Sequence, residues 1–329
     1  MRRACITGGA GFIGSNLADA LHRDGAEVVI VDDFRTGRHE FSADLVEQPG
    51  VTLHDGDVRD EALLRRAFDG CDWVFHLQAN ADVRHGLEHP RRDLEQNTIA
   101  TAGVLEAMRA VGVTKIAFSS TGSVYGEPEV FPTPEDAPFP TQTSLYAASK
   151  LAGEGMLGAY AHGFGFTSLV FRFVSILGER YTHGHVYDFY RALTRDPSRL
   201  RVLGDGHQEK SYLYVGDCVR AIETAVAAHE SRPGELGVYN LGTDETVVVN
   251  DSIAIICDHM GLTPEFEYTG GVRGWAGDSP LIHLDCSRIR ALGWSPTLTI
   301  PESIVRTLEW FDASPYAFDI PVAQEHQTA

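Results

Sequence analysis

The chain is poor in the features that mark several protein classes. Its five cysteines, Cys5, Cys71, Cys218, Cys257 and Cys286, are odd in number and scattered, and no two form a CxxC pair. That argues against a disulfide framework and against a structural zinc centre, and reads as reduced, buried thiols in a cytoplasmic protein. No metal site is expected. No apolar stretch approaches the ~20 residues needed to span a bilayer. Arg2 and Arg3 run straight into a short strand that ends in a glycine turn, so no secretory leader is expected. Basic charge is also scarce: Lys and Arg total 27 against 46 Asp and Glu, a formal net charge of −19. Such a chain, with no basic run, repels nucleic acid and anionic membrane surfaces. An anionic ligand must then be held by a few local cations and backbone N–H groups. No internal repeat or low-complexity segment is present.

What is present describes an ordinary large globular chain. It has 329 residues, 43% of them hydrophobic and 22% charged, enough for a sizeable core. At ~150 residues per domain, two lobes are expected. Short apolar runs at 4–7, 27–31, 51–54, 73–77, 115–119 and 167–173 alternate with helical patterns at 11–23, 60–68, 93–110 and 144–161. That alternation predicts an α/β fold, a Rossmann-type doubly wound parallel sheet, with ligands at the carboxyl ends of its strands. Beyond residue 173 the strands shorten and Pro and Gly are more frequent, with separate helices at 186–194 and 301–311. We therefore divide the chain into a dinucleotide-binding lobe, 1–173, and a smaller α/β substrate-binding lobe, 174–329. Parts of 211–245 are expected to return to the first lobe.

Thr7-Gly8-Gly9-Ala10-Gly11-Phe12-Ile13-Gly14 follows the first strand and opens the first helix. Gly8 permits the tight turn, Gly11 lets the backbone approach a phosphate, and Gly14 lets the helix pack on the sheet. The helix N-terminus offers N–H groups to a pyrophosphate. Alone, this pattern also fits a flexible turn. Asp32 strengthens it: it closes the second strand, 18 residues after Gly14. A carboxylate there can accept both hydroxyls of an adenosine ribose and repels a 2′-phosphate, so NAD is expected rather than NADP, despite Arg35 and Arg38 nearby. Asp57-Val58, after the third strand, could meet the adenine edge; Asp57 could equally cap the following helix.

Tyr146-Ala147-Ala148-Ser149-Lys150 places a phenol and an ammonium on one helix face. Lysine, with the positive nicotinamide of NAD, should draw the phenol pKa towards neutrality and make Tyr146 a general base. The hydroxyl cluster Ser119-Ser120-Thr121 ends a predicted buried strand and would reach the same crevice. Turn chemistry is the competing reading, stronger for Ser119 and Ser120 than for Thr121.

Taken together, the glycine turn, Asp32, His76-Leu77-Gln78-Ala79, Asn97, Ser119-Ser120-Thr121 and the Tyr146/Lys150 pair resemble the extended short-chain dehydrogenase/reductases. The subgroup resembled is the NAD-dependent epimerase/dehydratase enzymes of nucleotide sugars, with a likeness from Ala4 to about Trp310. The resemblance implies NAD contacts at Gly8, Gly11, Phe12, Ile13, Gly14, Asp32, Asp57, Val58, Leu77, Gln78, Tyr146 and Lys150. It makes Tyr146 the acid/base, Lys150 its partner and the holder of the nicotinamide ribose, and Thr121 an aid at the sugar 4-hydroxyl. Asn97 would brace the helix that carries these groups, or touch the ligand. Ser175, Leu203, Lys210 and Arg273 would bind the nucleotide sugar, with the Arg273 fork on its diphosphate. Two helices, 93–110 and 144–161, would pair across a homodimer.

Three positions depart from that pattern. Gln78 stands where relatives usually carry alanine, and would either crowd the cofactor or add a hydrogen bond. Ser175 replaces a frequent asparagine, and Lys210 a frequent arginine. Gly122-Ser123 lacks the acid pair of the resembled dehydratases, and the glutamate of the decarboxylating relatives is absent too. What remains is a 4-epimerase of a nucleotide sugar, most simply a UDP-hexose. Hydride would pass to tightly bound NAD and return to the opposite face of a 4-keto intermediate. The alternatives are a dehydratase or net oxidoreductase of the same family, and a non-catalytic dinucleotide-binding regulator.

Overall fold

A computed structural model describes residues 1–81, 86, 88–139, 141–271 and 281–318. The order begins β1 (Arg3–Thr7), α1 (Phe12–Arg23), β2 (Glu27–Asp32), α2 (His39–Val46), β3 (Val51–Asp55), α3 (Glu61–Phe68) and β4 (Trp73–His76). A long helix follows as α4 (Pro90–Asp93), a π turn (Leu94–Ile99) and α5 (Ala100–Val111). Then come β5 (Lys115–Thr121), α6 (Leu145–Phe164), β6 (Thr167–Phe173), β7 (Ser175–Leu177), α7 (His185–Arg195), β8 (Arg199–Val202), β9 (Glu209–Lys210) and β10 (Tyr212–Tyr214). The described chain ends with α8 (Val215–His229), β11 (Leu236–Leu241), β12 (Val247–Val248), α9 (Val249–Met260), β13 (Glu265–Tyr268), β14 (Leu281–Ile282), α10 (Ser287–Arg290) and α11 (Ile300–Ala313), apart from a last short turn.

Seven parallel strands form the main sheet in the order β11-β6-β5-β4-β1-β2-β3. The order reverses between β1 and β4, so the carboxyl ends of those two strands open a crevice. The strands read as unbroken apolar runs because both faces are covered: Ala4, Cys5 and Ile6 are fully buried, as are Val28, Ile30 and Val74. Each of the valines and isoleucines contributes ~1.5–3 kcal/mol of burial. One apolar layer packs α1 and α8 on the sheet; the other packs α3, α5 and α6.

Local chemistry sets the helix ends. Asp60 caps α3 by accepting from Ala62 N and Leu63 N at 2.9 and 3.1 Å, which corrects the alternative that assigned the cap to Asp57. Ser144 caps α6, and Gly165 ends it in the left-handed conformation. The helix expected at 93–110 starts earlier, at Pro90, and carries the π turn around Asn97. The later strands build small pairs, β7 with β10, β8 with β13, and β9 with β12 and β14. They surround a third apolar cluster with α7, α9 and α11. β11 leaves that region and pairs with β6 along its whole length.

Candidate active site

A cleft of about 610 Å³ lies along the carboxyl ends of β1, β2, β4, β5 and β6. Its floor is the glycine turn. Gly8 has φ +74°, and a Cβ there would meet Gln78 N at 2.7 Å. At Gly14 a Cβ would stand 2.0 Å from Gly8 O, so only glycine lets α1 close on the turn. Gly11 begins α1 with no capping side chain, and its first turn carries no acid. The first N–H groups of α1 therefore face the cleft side of the turn with no acid against them. Asp32, largely buried, accepts from Ala10 N and Phe34 N at 2.9 Å each. Burial raises its pKa, and those two backbone donors oppose the rise. Its neighbouring cations are engaged by acids or backbone: Arg35 with Asp33 at 2.9 Å and Asp57 at 3.6 Å, and Arg38 with Tyr316 O at 2.7 Å. This floor fits a dinucleotide whose ribose is unphosphorylated: a backbone cradle that side chains would fill, then a carboxylate at a strand end.

The opposite wall comes from β5 and α6. Lys150, buried, donates from Nζ to Ser119 O at 2.7 Å. Burial lowers its pKa to about 7, and Glu154 acts in the other direction. The Tyr146 phenol is hydrogen-bonded with Thr121. Its pKa is pushed up to about 12, chiefly by burial, with Asp93 adding to the rise. Burial thus holds the phenol up within the protein alone, whereas the expected drift towards neutrality rests on the nicotinamide charge as well.

The serines also reverse the expected roles. β5 runs through Thr121, so Ser119 and Ser120 are strand residues, with Ser119 Oγ donating to His76 O at 3.3 Å and Ser120 donating to Glu154. It is Thr121 that makes the turn, accepting from Ser123 N at 3.1 Å while it meets Tyr146. Asn97 braces the wall: Nδ2 donates to Ser149 Oγ at 2.9 Å and Asn80 O at 3.1 Å, and Oδ1 accepts from Asn80 N at 2.8 Å.

The cleft brings together Gly8, Gly11, Phe12, Ile13, Gly14, Asp32, Val58, Leu77, Gln78, Thr121, Tyr146, Lys150 and Ser175. Gln78 also donates to Gln96 at 3.0 Å. Asp57 is not on the cleft wall; it is drawn aside by Arg59, at 2.6 Å. Leu203 and Lys210 also lie outside the wall, on the β8 and β9 side, and Arg273 is outside the described residues. Sequence reading missed Arg92, Gln96, Tyr181, His183 and Ile282, all of which line the cleft. Tyr181 and His183 come from an irregular connection with no periodic signal.

A glycine-turn sheet facing a Tyr/Lys helix defines a dinucleotide-dependent enzyme of the short-chain dehydrogenase/reductase type. The family model for the NAD dependent epimerase/dehydratase family matches residues 4–242. The UDP-glucose 4-epimerase of Mycolicibacterium smegmatis is 33% identical over 94% of this chain and 98% of its own. A crystal structure of a UDP-galactose 4-epimerase superposes with a TM-score of 0.84, at 38% identity, over 95% of this chain and 99% of that one. The UDP-glucose 4-epimerase of Thermus thermophilus in complex with NAD gives 0.83 at 32% identity over 95% and 99%. The chain belongs to the NAD dependent epimerase/dehydratase family. Among the described residues no helix is long and apolar enough to cross a membrane.

Proposed function

We propose that the chain is an NAD-dependent nucleotide-sugar epimerase, acting in the first place as a 4-epimerase of UDP-glucose and UDP-galactose. The observation that carries this reading is the meeting of Thr121, Tyr146 and Lys150 across one cleft from the Gly8 turn and Asp32. The named relatives support the same substrate class.

In this reading the glycine turn and α1 hold the pyrophosphate, Asp32 takes the adenosine ribose, and Lys150 takes the nicotinamide ribose. NAD, when bound, supplies a two-electron acceptor and donor at its nicotinamide ring. Tyr146 removes the proton of the sugar 4-hydroxyl, and Thr121 orients both oxygens. Burial raises the phenol and lowers the lysine; the positive charges of the Lys150 ammonium and of the nicotinamide ring, when NAD is bound, would favour the phenolate that acts as the base. Ser175 at the cleft mouth, with Leu203 and Lys210 beyond it, holds the nucleotide, and Arg273, outside the described residues, keeps the diphosphate role that the resemblance gives it. Gly122 and Ser123 bring no carboxylic acid, which counts against dehydration. The lobe division at residue 173, with 211–245 returning to the first lobe, belongs to the same reading, and the pairing of β11 with β6 supports it.

We also assign a homodimer and a cytoplasmic location. Exposed Leu94 and Ile99 on the π turn and Leu145 and Phe164 on α6 suit a second copy, and the five free cysteines are all buried. Sedimentation at twice 36.0 kDa is the expected result; a monomer at micromolar concentration contradicts the dimer. For the activity, purified protein is mixed with UDP-glucose and no added NAD, and UDP-galactose is expected. Failure of a panel of UDP- and dTDP-hexoses to give any epimer overturns the reading.

A further inference from the structure

Behind the Tyr/Lys wall lies a buried charge pair that the chemistry above does not use. Arg172 sits within β6, whose seven residues are all buried, and its side chain is 4% exposed. Nε and Nη2 donate to the Glu154 carboxylate, at 3.0 Å to Oε1 and 2.7 Å to Oε2. Nη1 donates to Tyr125 Oη at 2.6 Å and to Glu135 O at 2.9 Å, and the Phe139 ring lies 4.9 Å from the guanidinium carbon. A guanidinium committed on every edge has one geometry, and so does the carboxylate it grips.

Glu154 in turn is tied to the cleft wall through Ser120. It follows Lys150 by four residues and Tyr146 by eight, so phenol, ammonium and carboxylate share a face of α6. Ser120, on the cleft wall, donates its hydroxyl to Glu154. Ser120 stands between Ser119, whose carbonyl holds Lys150, and Thr121, which holds Tyr146.

We propose that Glu154, gripped by Arg172, is the positioning residue of the Tyr146/Lys150 pair: it pins the end of β5 to α6 through Ser120 and is the counter-charge that keeps buried Lys150 an ammonium. This rests on the role given to Lys150 above. The groups around the pair are Tyr146 and Glu154 on α6, His76 on β4, Asp93 before the π turn, and Arg172 on β6 behind Glu154. Burial drives Lys150 towards neutrality, His76 is kept uncharged by its own burial, and the Glu154 charge opposes the loss.

The chain contains only three lysines, Lys115, Lys150 and Lys210. Labelling lysine with ¹³C therefore gives three Cε resonances, assignable with Lys115→Arg and Lys210→Arg. The Lys150 resonance is titrated in the NAD-loaded wild type, in Glu154→Gln, and in the double variant Glu154→Gln/Arg172→Met. Its midpoint is expected to fall by about one unit in the single variant and about half a unit in the double, where the Arg172 charge is also gone. For UDP-glucose, kcat should fall ~10-fold or more in both, with KM within ~3-fold. The double variant guards against a single variant that fails to fold around an unpaired guanidinium. A Lys150 midpoint that stays at the wild-type value in whichever variant folds overturns the proposal. The resonance reports on Lys150 whether or not UDP-glucose is turned over, so an inactive wild type would count against the epimerase reading alone.

Discussion

The two walls of the cleft are built from different materials. The floor around β1 and α1 is made of backbone: glycines at Gly8 and Gly14 whose substitution would collide with Gln78 N or Gly8 O, and helix N–H groups with no side-chain cap. The wall of β5 and α6 is made of side chains, buried Lys150 and half-buried Tyr146 among them, whose charges are shifted by their surroundings. Binding is therefore concentrated on the floor, and proton chemistry on the wall. Variants on one side should fail differently from variants on the other.

The largest effect is expected on the wall. Tyr146→Phe should lower kcat ~10²–10⁴-fold, since that is what a positioned acid/base supplies, while NAD stays bound. NAD content after purification and kcat are the paired readouts; loss of both together would erase the contrast. On the floor, Gly14→Ala puts a Cβ 2.0 Å from Gly8 O. It should strip NAD from the purified protein and destabilise it by ~1–3 kcal/mol, as overpacking does. Full NAD occupancy in a Gly14→Ala protein of unchanged melting temperature would contradict the turn's assigned role.

A smaller change sharpens the floor's selectivity. Asp32→Asn keeps the shape and removes the charge that repels a ribose phosphate. The ratio of NAD to NADP affinity should fall ~10–100-fold, the value of one or two charged hydrogen bonds. An unchanged ratio would place that discrimination elsewhere.

The smallest effect concerns the joint between the walls. His76 is fully buried, with Nδ1 at 2.7 Å from Thr7 Oγ1 on β1 and Nε2 at 3.0 Å from Thr101 Oγ1 on α5. Burial, with the Lys150 charge, lowers its pKa to about 3. The unfolded chain then binds a proton that the folded chain refuses. Stability from this residue is present above pH ~6.5 and is lost as pH falls towards 3, by at most ~1.4 kcal/mol per pH unit. Unfolding followed from pH 7 to 5 should show a slope about one proton smaller in His76→Asn. Equal slopes would mean that His76 is not kept neutral.

The floor was readable in the sequence because its chemistry is local. A turn needing φ above zero, a helix start and an acid at the next strand end all fall within the segment from Gly8 to Asp32. The Tyr146/Lys150 spacing is equally local. The rest depends on tertiary packing. The strand expected at 115–119 left Ser120 open to a turn reading, because serine suits turns and strand ends alike; only the pairing of β5 with β6 carries the strand on through Ser120 and Thr121. The acidity expected of Tyr146 ignored burial, which only the packed wall supplies. Glu154 and Arg172 were passed over, although an arginine inside an apolar strand must find a buried partner and was the available signal. The pairing of Asp57 with Arg59 is likewise invisible to a strand-and-turn reading.

The measurement that bears most directly on the account uses UDP-glucose carrying deuterium at C4, turned over in ordinary water without added NAD. If a phenol beside bound NAD oxidises and re-reduces one carbinol, the UDP-galactose formed keeps the deuterium at C4. Product that has exchanged it for solvent hydrogen would contradict the account.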